Sequence, residues 1–553
     1  MPRLSISRFG LLLCGLIALL ACLAVSVDTV GIYEDEGIYD STAQSLIDGK
    51  GYHISTLPGS PPNAKYPFLY PAWLALLKWM VPGAGIWKDT LLKLSNLPIL
   101  MIFVWVFYRT LRDQFQWPIE ACQLTAALTG ICGTVMPFTL AMMTEIPFML
   151  VVWILLRELL FLGSANRKPR WWLVFAMGVA VYYLRTAGVA ILAAVIAVLI
   201  LHKLKREAAF LLVGWMLSAL PWVIWSRHAA AEFSSQQPVL SKLLAYYLTY
   251  DYHTGALLQA AHEDGWLSAA GFFLTIVCKN IVTLVKGLGE IFFPATLIYA
   301  GSMIDSPPML EGFSFVAGLL ITGFAAIGYR ASEIRNKSVL GLAVTFHIAL
   351  FIVWPWPFAS RFLTPIVPII VIFVAENVRQ WSDHWLRLRV VLIATSFLLQ
   401  VWTLGSLMPG GTLLNKLVLF NEPAYQDALA WLKPRITKSD IVFSGFTSQW
   451  VSRELGVPVV RYNTILSPKT GLKLQFKIDP SNPAYADEFT ARLRDWRLVV
   501  PADSGHLWIF AEVSLDNASW QTIQTQMLRN QLRLVWDKEL QPVKIFEAVP
   551  SQN

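Results

Sequence analysis

The 553-residue sequence predicts a mainly α protein, a polytopic membrane bundle of 11–13 transmembrane helices over residues 1–409 with a soluble extracytoplasmic α/β domain over 410–553. Three observations predict it. Hydrophobic residues make up 56% of the chain and Asp, Glu, Lys and Arg together only 14%, where a soluble domain carries about 25% charged residues. The apolar residues gather into long runs separated by short basic clusters. From about residue 410 the runs stop and short β-branched and aromatic segments take over. A soluble cytosolic enzyme, a disordered scaffold and a disulfide-stapled secreted protein are excluded, because no soluble interior of this size hides so much apolar surface.

The first run, 9–27, follows Arg3 and Arg8. Leu19-Leu-Ala-Cys22 faintly resembles a lipoprotein cleavage site, but the run is long for a signal peptide and many more follow, so it reads as an uncleaved anchor with the N-terminus in the cytoplasm. Further spans are predicted at 91–109, 118–137, 139–161, 171–186, 188–202, 208–226, 311–329, 338–355, 361–377 and 390–408, each near the ~20 residues that cross the hydrocarbon layer. The stretch 266–300 is broken by Lys279, Asn280, Lys286, Gly289 and Pro294 and reads as an interfacial or interrupted helix, which sets the count at 11, or 13 if it crosses twice. The bases behind the net charge of +8 cluster between alternate spans: Arg167, Lys168 and Arg170; Lys203, Lys205 and Arg206; Arg330, Arg335 and Lys337; Arg387 and Arg389. This is the positive-inside pattern of cytoplasmic loops, not a nucleic-acid-binding stripe interleaved with stacking aromatics. The same register places 28–68, 227–265 and the tail on the outer side.

In the tail, Asp440–Ser444, Val457–Arg461, Leu507–Phe510 and Leu532–Trp536 read as strands, with helical patterns at 423–433, 447–455 and 517–530. Cys14, Cys22, Cys122, Cys132 and Cys278 all lie in apolar stretches without a paired spacing, as small core residues do.

The densest charge outside the cytoplasmic loops is Tyr33-Glu-Asp-Glu-Gly-Ile-Tyr-Asp40, four carboxylates within seven residues just after the first span. Partial desolvation at a membrane interface is expected to raise a carboxyl pKa and make a competent base; a solvated acidic loop is the plainer reading of the same spacing. A short helix ending at Gly49-Lys50-Gly51 follows, and then Lys65-Tyr66-Pro67, where a lysine either neutralises a lipid phosphate or snorkels. Glu145, Arg185 and Arg361 lie within or at the outer ends of apolar spans. Ionisable groups there are costly and point to function, although Arg361 also suits a helix-end anchor. One acid set and several bases at one interface suit an anionic, lipid-linked substrate. Glu36 and Glu145 are also candidate oxygen ligands for Mg²⁺ or Mn²⁺. The histidines, including His253 and His262 beside Glu263, show no metal-ligand spacing, so the metal is left open.

Taken together, Asp35-Glu36-x-x-Tyr39, Lys65 with Pro67, Met143-Thr-Glu-Ile-Pro147 and Arg361-Phe-Leu-x-Pro365 resemble the bacterial GT-C type membrane glycosyltransferases, near the aminoarabinose transferases that modify lipid A and the protein O-mannosyltransferases. The resemblance covers about 1–410. It implies an enzyme of the bacterial inner membrane that moves a sugar from a polyprenyl-phosphate carrier to a lipid, glycan or protein acceptor on the outer side, in lipopolysaccharide or protein glycosylation. It also implies Asp35 as the essential first-loop aspartate, with Glu36 and Tyr39 its neighbours, Lys65 at the phosphate and Glu145 as the second-loop acid. The chemistry makes Asp35 the base of an inverting displacement, and Tyr66, Arg185 and Arg361 complete the substrate-binding candidates. Ile38 and Ala64 depart from the arginine and glutamate of the aminoarabinose enzymes, and 227–265 is too short for a lectin-like insertion, so neither donor sugar nor acceptor is implied. The rival readings are a transporter or lipid-linked sugar flippase and a structural assembly subunit. The former predicts internal repeats, and none is seen.

Overall fold

The computed structural model describes residues 33–81, 86–164, 167–249, 265–294, 308–354, 360–381, 386–407, 423–444, 448–461, 506–512, 532–537 and 543–548. The predicted first span, His253, His262 and Glu263, and the predicted helix 517–530 lie outside these residues.

Among the described residues, five helices are long and apolar enough to cross a membrane: Trp87–Asp113, Lys205–Gln236, Ala269–Phe292, Met309–Ala331 and Arg361–Arg379. Shorter apolar helices run over Ile119–Ile131, Trp171–Leu184, Thr186–Leu201, Lys337–Ile352 and Val391–Thr403. Arg361–Arg379 is central, with 78% of its apolar window buried, whereas Lys205–Gln236, at 22%, is peripheral. The peripheral helix shows why: Ala208, Leu211, Trp215 and Trp222 recur at helical spacing and face the bundle, leaving Phe210, Val213, Leu217, Leu220 and Ile224 exposed. In water such a face would be a liability. In lipid it is the solvent-facing side.

Two predicted elements change. The stretch read as interrupted forms one unbroken helix over Trp266–Phe292. Its polar residues do not break it because neighbours satisfy them: the Asn280 amide donates to the carbonyls of Ile352 and Trp354 at 3.2 and 2.8 Å, and Lys286 pairs with Glu311 at 2.6 Å. Gly289 and Gly318 let it press against Pro308–Ala331, since a Cβ at either would collide with the backbone of Ser314 or Val285. The predicted span 139–161 becomes helical only at Glu145–Leu159, preceded by a connection over 132–144 that holds a single short turn, Met136–Thr139. Gly133 and Pro137 punctuate this connection, and Pro147 fits the first turn of the helix, where its missing N–H costs nothing.

Helices Glu34–Ile47 and Leu69–Met80 pack together. The acidic stretch is therefore no loop. Glu34, Asp35 and Glu36 form the first turn of a helix, where carboxylates oppose the positive end of the helix dipole. Gly49 and Gly51, at φ of 70° and 83°, turn the chain out of this helix. The returning segment is pinned by Asn63, whose amide donates to Thr42 Oγ1 (3.0 Å) and whose Oδ1 accepts the Tyr66 N–H (3.3 Å), and by Tyr52, whose hydroxyl donates to the Tyr66 carbonyl (2.9 Å).

The C-terminal part holds a mixed sheet of order β2-β1-β3-β5-β4: β1 Ile441–Ser444, β2 Val459–Arg461, β3 Leu507–Glu512, β4 Leu532–Asp537 and β5 Val543–Ala548. β1 pairs parallel with β2 and β3, and β5 pairs antiparallel with β3 and β4. β5 was not foreseen; Val543-Lys-Ile-Phe-Glu-Ala548 carries only a weak alternation. Helices Pro423–Leu432 and Ser448–Leu455 share a small core with the sheet through Tyr425, Leu429, Val451, Val442, Trp508 and Ile545. This part touches the first part of the chain directly: Ser452 Oγ and the Val459 N–H both donate to the Thr56 carbonyl (3.3 and 3.2 Å), and Arg453 pairs with Asp89 of the helix Ile86–Leu94.

Candidate active site

Five segments bring charged side chains to one point. The first turn of Glu34–Ile47 supplies Asp35. The returning segment supplies Lys65 and Tyr66. The start of Glu145–Leu159 supplies Glu145. Arg185 follows directly on Trp171–Leu184, and Arg361 lies in the 3-10 turn Ser360–Ile366. Arg361 Nη2 lies 2.7 Å from Asp35 Oδ2, and its Nε lies 4.0 Å from Glu145 Oε1. Arg185 Nη1 is 2.6 Å from Glu145 Oε1 and donates to Thr144 Oγ1 at 3.2 Å. The Tyr66 hydroxyl donates to Asp35 Oδ1 at 2.7 Å. Asp35, Glu145 and Lys65 are buried.

Every site residue expected from the sequence falls within or against this cluster. Glu36 holds the 132–144 connection in place by accepting the Met142 N–H at 3.0 Å. Tyr39 packs edge-on against Tyr66 and Tyr70. Lys65 Nζ sits 5.6 Å from the Tyr66 ring centroid. Glu36 and Glu145 thus both have protein partners, and among the described residues no group of three or more His, Cys, Asp or Glu side chains is placed to hold a metal ion.

The electrostatics correct one expectation. Burial works to raise the Asp35 carboxyl pKa, but the Arg361 guanidinium, the Tyr66 hydroxyl, Arg185 and Lys65 outweigh it and hold the group below the usual carboxylate range. Asp35 is a buried, ionised, well-partnered carboxylate rather than a desolvated one of raised pKa. Burial lowers Lys65 to about 8, with Asp35 opposing part of that fall and Arg361 adding to it. Burial and the Asp35 charge push the Tyr39 hydroxyl well up, so it stays protonated.

Sequence reasoning missed several members. Asn96 donates to the carbonyls of Phe138, Ala141 and Met143, fixing the connection that precedes Glu145. Tyr247, from the short helix Ala245–Leu248, donates to Glu34 at 2.7 Å. Phe362 lies under both guanidiniums, 5.0 Å from Arg361 and 5.3 Å from Arg185. His347 lies beside it. A histidine inside a predicted span was a readable signal; an asparagine that bonds three carbonyls about 45 residues away was not.

The chain superposes on ArnT from Cupriavidus metallidurans bound to undecaprenyl phosphate with a TM-score of 0.56, at 11% identity over 99% of both chains. The chain shares that structure's fold, which is of the GT-C type. Apo ArnT from the same organism gives 0.45 at 12% identity over 98% of both chains, and the apo oligosaccharyltransferase of Archaeoglobus fulgidus gives 0.49 at 12% identity over 95% of this chain and 72% of that one. No family model and no curated protein matches the sequence. At such low identity the likeness concerns the GT-C fold alone.

Proposed function

We propose that this chain is a membrane glycosyltransferase that moves a sugar from a polyprenyl-phosphate carrier to a lipid, glycan or protein acceptor on the outer side of the membrane. The observation that carries the reading is the cluster in which Arg361 bridges Asp35 and Glu145 while Arg185 and Lys65 stand beside them. In this reading 1–409 is the catalytic membrane part of a bacterial inner-membrane protein, its N-terminus cytoplasmic, and 410–553 is an outer domain.

The reaction asks for little beyond charge and position. The acceptor hydroxyl attacks the anomeric carbon, the bond from that carbon to the phosphate oxygen breaks, and the electron pair leaves with polyprenyl phosphate. The hydroxyl proton passes to Asp35. Attack from the face opposite the phosphate inverts configuration, by analogy with single displacement at glycosidases. Arg361, Arg185 and Lys65 balance the phosphate charge, as preorganised cations do at a developing anion. The ion pair makes the base conditional: an incoming phosphate competes with Asp35 for Arg361, and a carboxylate that loses its guanidinium binds a proton more tightly. Tyr39 keeps its proton, and the Tyr66 hydroxyl donates to Asp35. The three cations supply the positive charge without a divalent ion.

The test uses the purified full chain in lipid nanodiscs with a polyprenyl-phosphate sugar. The enzyme releases polyprenyl phosphate only when acceptor is present, whereas a flippase or an assembly subunit releases none. Asp35→Asn is expected to lower the rate by about 10²–10⁴, the range of general base catalysis, at unchanged yield and thermal midpoint; near-normal turnover would remove Asp35 as the base.

A further inference from the structure

Beside the ion-pair cluster lies a small half-open cleft lined by Phe148, Arg185, His347, Phe351, Arg361 and Phe362. His347 belongs to the helix Lys337–Ile352 and is 1% exposed. Its Nε2 is 2.7 Å from the Phe362 carbonyl, so Nε2 carries the proton and donates. In the neutral ring this leaves Nδ1 as a lone-pair acceptor. Among the described residues Nδ1 has no hydrogen-bond partner, and an unsatisfied buried acceptor costs about 1–3 kcal/mol. The ring is not free to turn away, because it is bonded at Phe362 and packs edge-on against Phe351 at 4.9 Å. Such a fixed acceptor takes a donor from whatever enters the cleft, a water in the empty protein and a hydroxyl or amine when a ligand is bound.

The chemistry of the cleft says which part of a ligand provides it. An ionised phosphate beside Arg185 and Arg361 offers only acceptors, and a prenyl chain offers neither donor nor acceptor. A sugar bonded to that phosphate has hydroxyls within a few bonds of it and apolar C–H faces that suit the rings of Phe148, Phe351 and Phe362. We propose that His347 reads the donor sugar: Nδ1 accepts a hydrogen bond from a hydroxyl or amine of the sugar while the phosphate lies against Arg185 and Arg361. This rests on the polyprenyl-phosphate donor proposed above, and it assigns sugar selection to a residue distinct from the base and from the phosphate cations.

The test measures dissociation constants for the full chain in nanodiscs, without acceptor, for undecaprenyl phosphate and for the same carrier bearing glucose, mannose or 4-amino-4-deoxyarabinose. In His347→Gln the amide nitrogen reaches the Nε2 position and keeps the bond to Phe362, but nothing replaces Nδ1. Wild type is expected to bind at least one sugar-bearing carrier about fivefold tighter than the bare carrier, the size of one neutral hydrogen bond. In His347→Gln that ratio is expected to fall to about one, with bare-carrier binding within about twofold of wild type. A ratio that survives the substitution, a wild type indifferent to all three sugars, or an equal loss of bare-carrier affinity would each overturn the assignment. A wild type that binds none of the four carriers would instead remove the donor reading itself, and this inference with it.

Discussion

Lys65 is the residue whose chemistry the fold changes most usefully. With its pKa lowered to about 8, it is charged at neutral pH and loses its charge as the pH rises through that value, well below the ~10.4 of an exposed lysine. A group that neutralises a lipid phosphate only when protonated should make kcat/KM for the donor fall on the alkaline side with a midpoint near 8. In Lys65→Arg, which stays protonated, that limb should disappear; a pH profile unchanged by the substitution would deny Lys65 its place at the phosphate. Asp35 gives a second, opposite expectation. Because Arg361 is paired with it at 2.7 Å, Asp35→Asn should bind undecaprenyl phosphate about three- to tenfold tighter than wild type while losing turnover. Glu34→Gln, on the same helix turn but bonded to Tyr247, should change binding less than twofold. Equal gains in both variants would mean a general charge effect and not competition for Arg361. At this scale the identities of the site residues were legible, because a charge in an apolar run is costly enough to stand out. Their pairing was not, and the sign of the Asp35 shift came out reversed, because it depends on partners more than a hundred residues away in sequence.

At the scale of elements, the approach of the helices is set by backbone packing that no side-chain pattern announces. The pair Trp266–Phe292 and Pro308–Ala331 meets where a Cβ on Gly318 would strike the Val285 carbonyl, and Gly328 meets Phe373 in the same way. A flexible side chain can give; a carbonyl cannot. Gly318→Leu should therefore separate the pair and destabilise the detergent-purified protein by about 1–3 kcal/mol or more, the usual penalty of overpacking, read as a lower thermal midpoint. Leucine at Gly271, whose Cβ meets nothing within 4 Å, is the control. The same reasoning explains why 266–300 looked interrupted in sequence: the polar residues that suggested a break are satisfied across the helix interface. The acidic helix start at Glu34–Glu36 was misread for a related reason. Three carboxylates in a first turn signal a helix N-terminus as much as they signal a charged loop, and only burial of Asp35 and Glu36 tells which.

At the scale of the molecule, the C-terminal part rests on the segment that carries the proposed base. Ser452 and Val459 both bond the Thr56 carbonyl, and Arg453 pairs with Asp89. Arg453→Glu sets a second carboxylate beside Asp89. It should weaken this contact by about 1 kcal/mol, in the range of partly exposed ion pairs, and should show as faster amide exchange over 448–461 with the membrane helices unaffected. Charge balance makes a second whole-molecule expectation. With Lys65, Arg185 and Arg361 facing Asp35 and Glu145, transfer should change less than about twofold on removing Mg²⁺ and Mn²⁺ with EDTA; a tenfold loss restored by either ion would add a cation to the site.

The sequence by itself determined that lipid is the solvent, where the apolar segments run, that the tail is α/β, and which few ionisable residues stand in apolar surroundings. These follow from composition and period, which are local and additive along the chain. Only the tertiary structure decided that Arg361 lies between Asp35 and Glu145, that Asp35 is held ionised by its partners, and that His347 presents an unpaired acceptor next to two guanidiniums. Electrostatic and hydrogen-bonding energies depend on distances between segments far apart in sequence, and those distances exist only once the helices have packed.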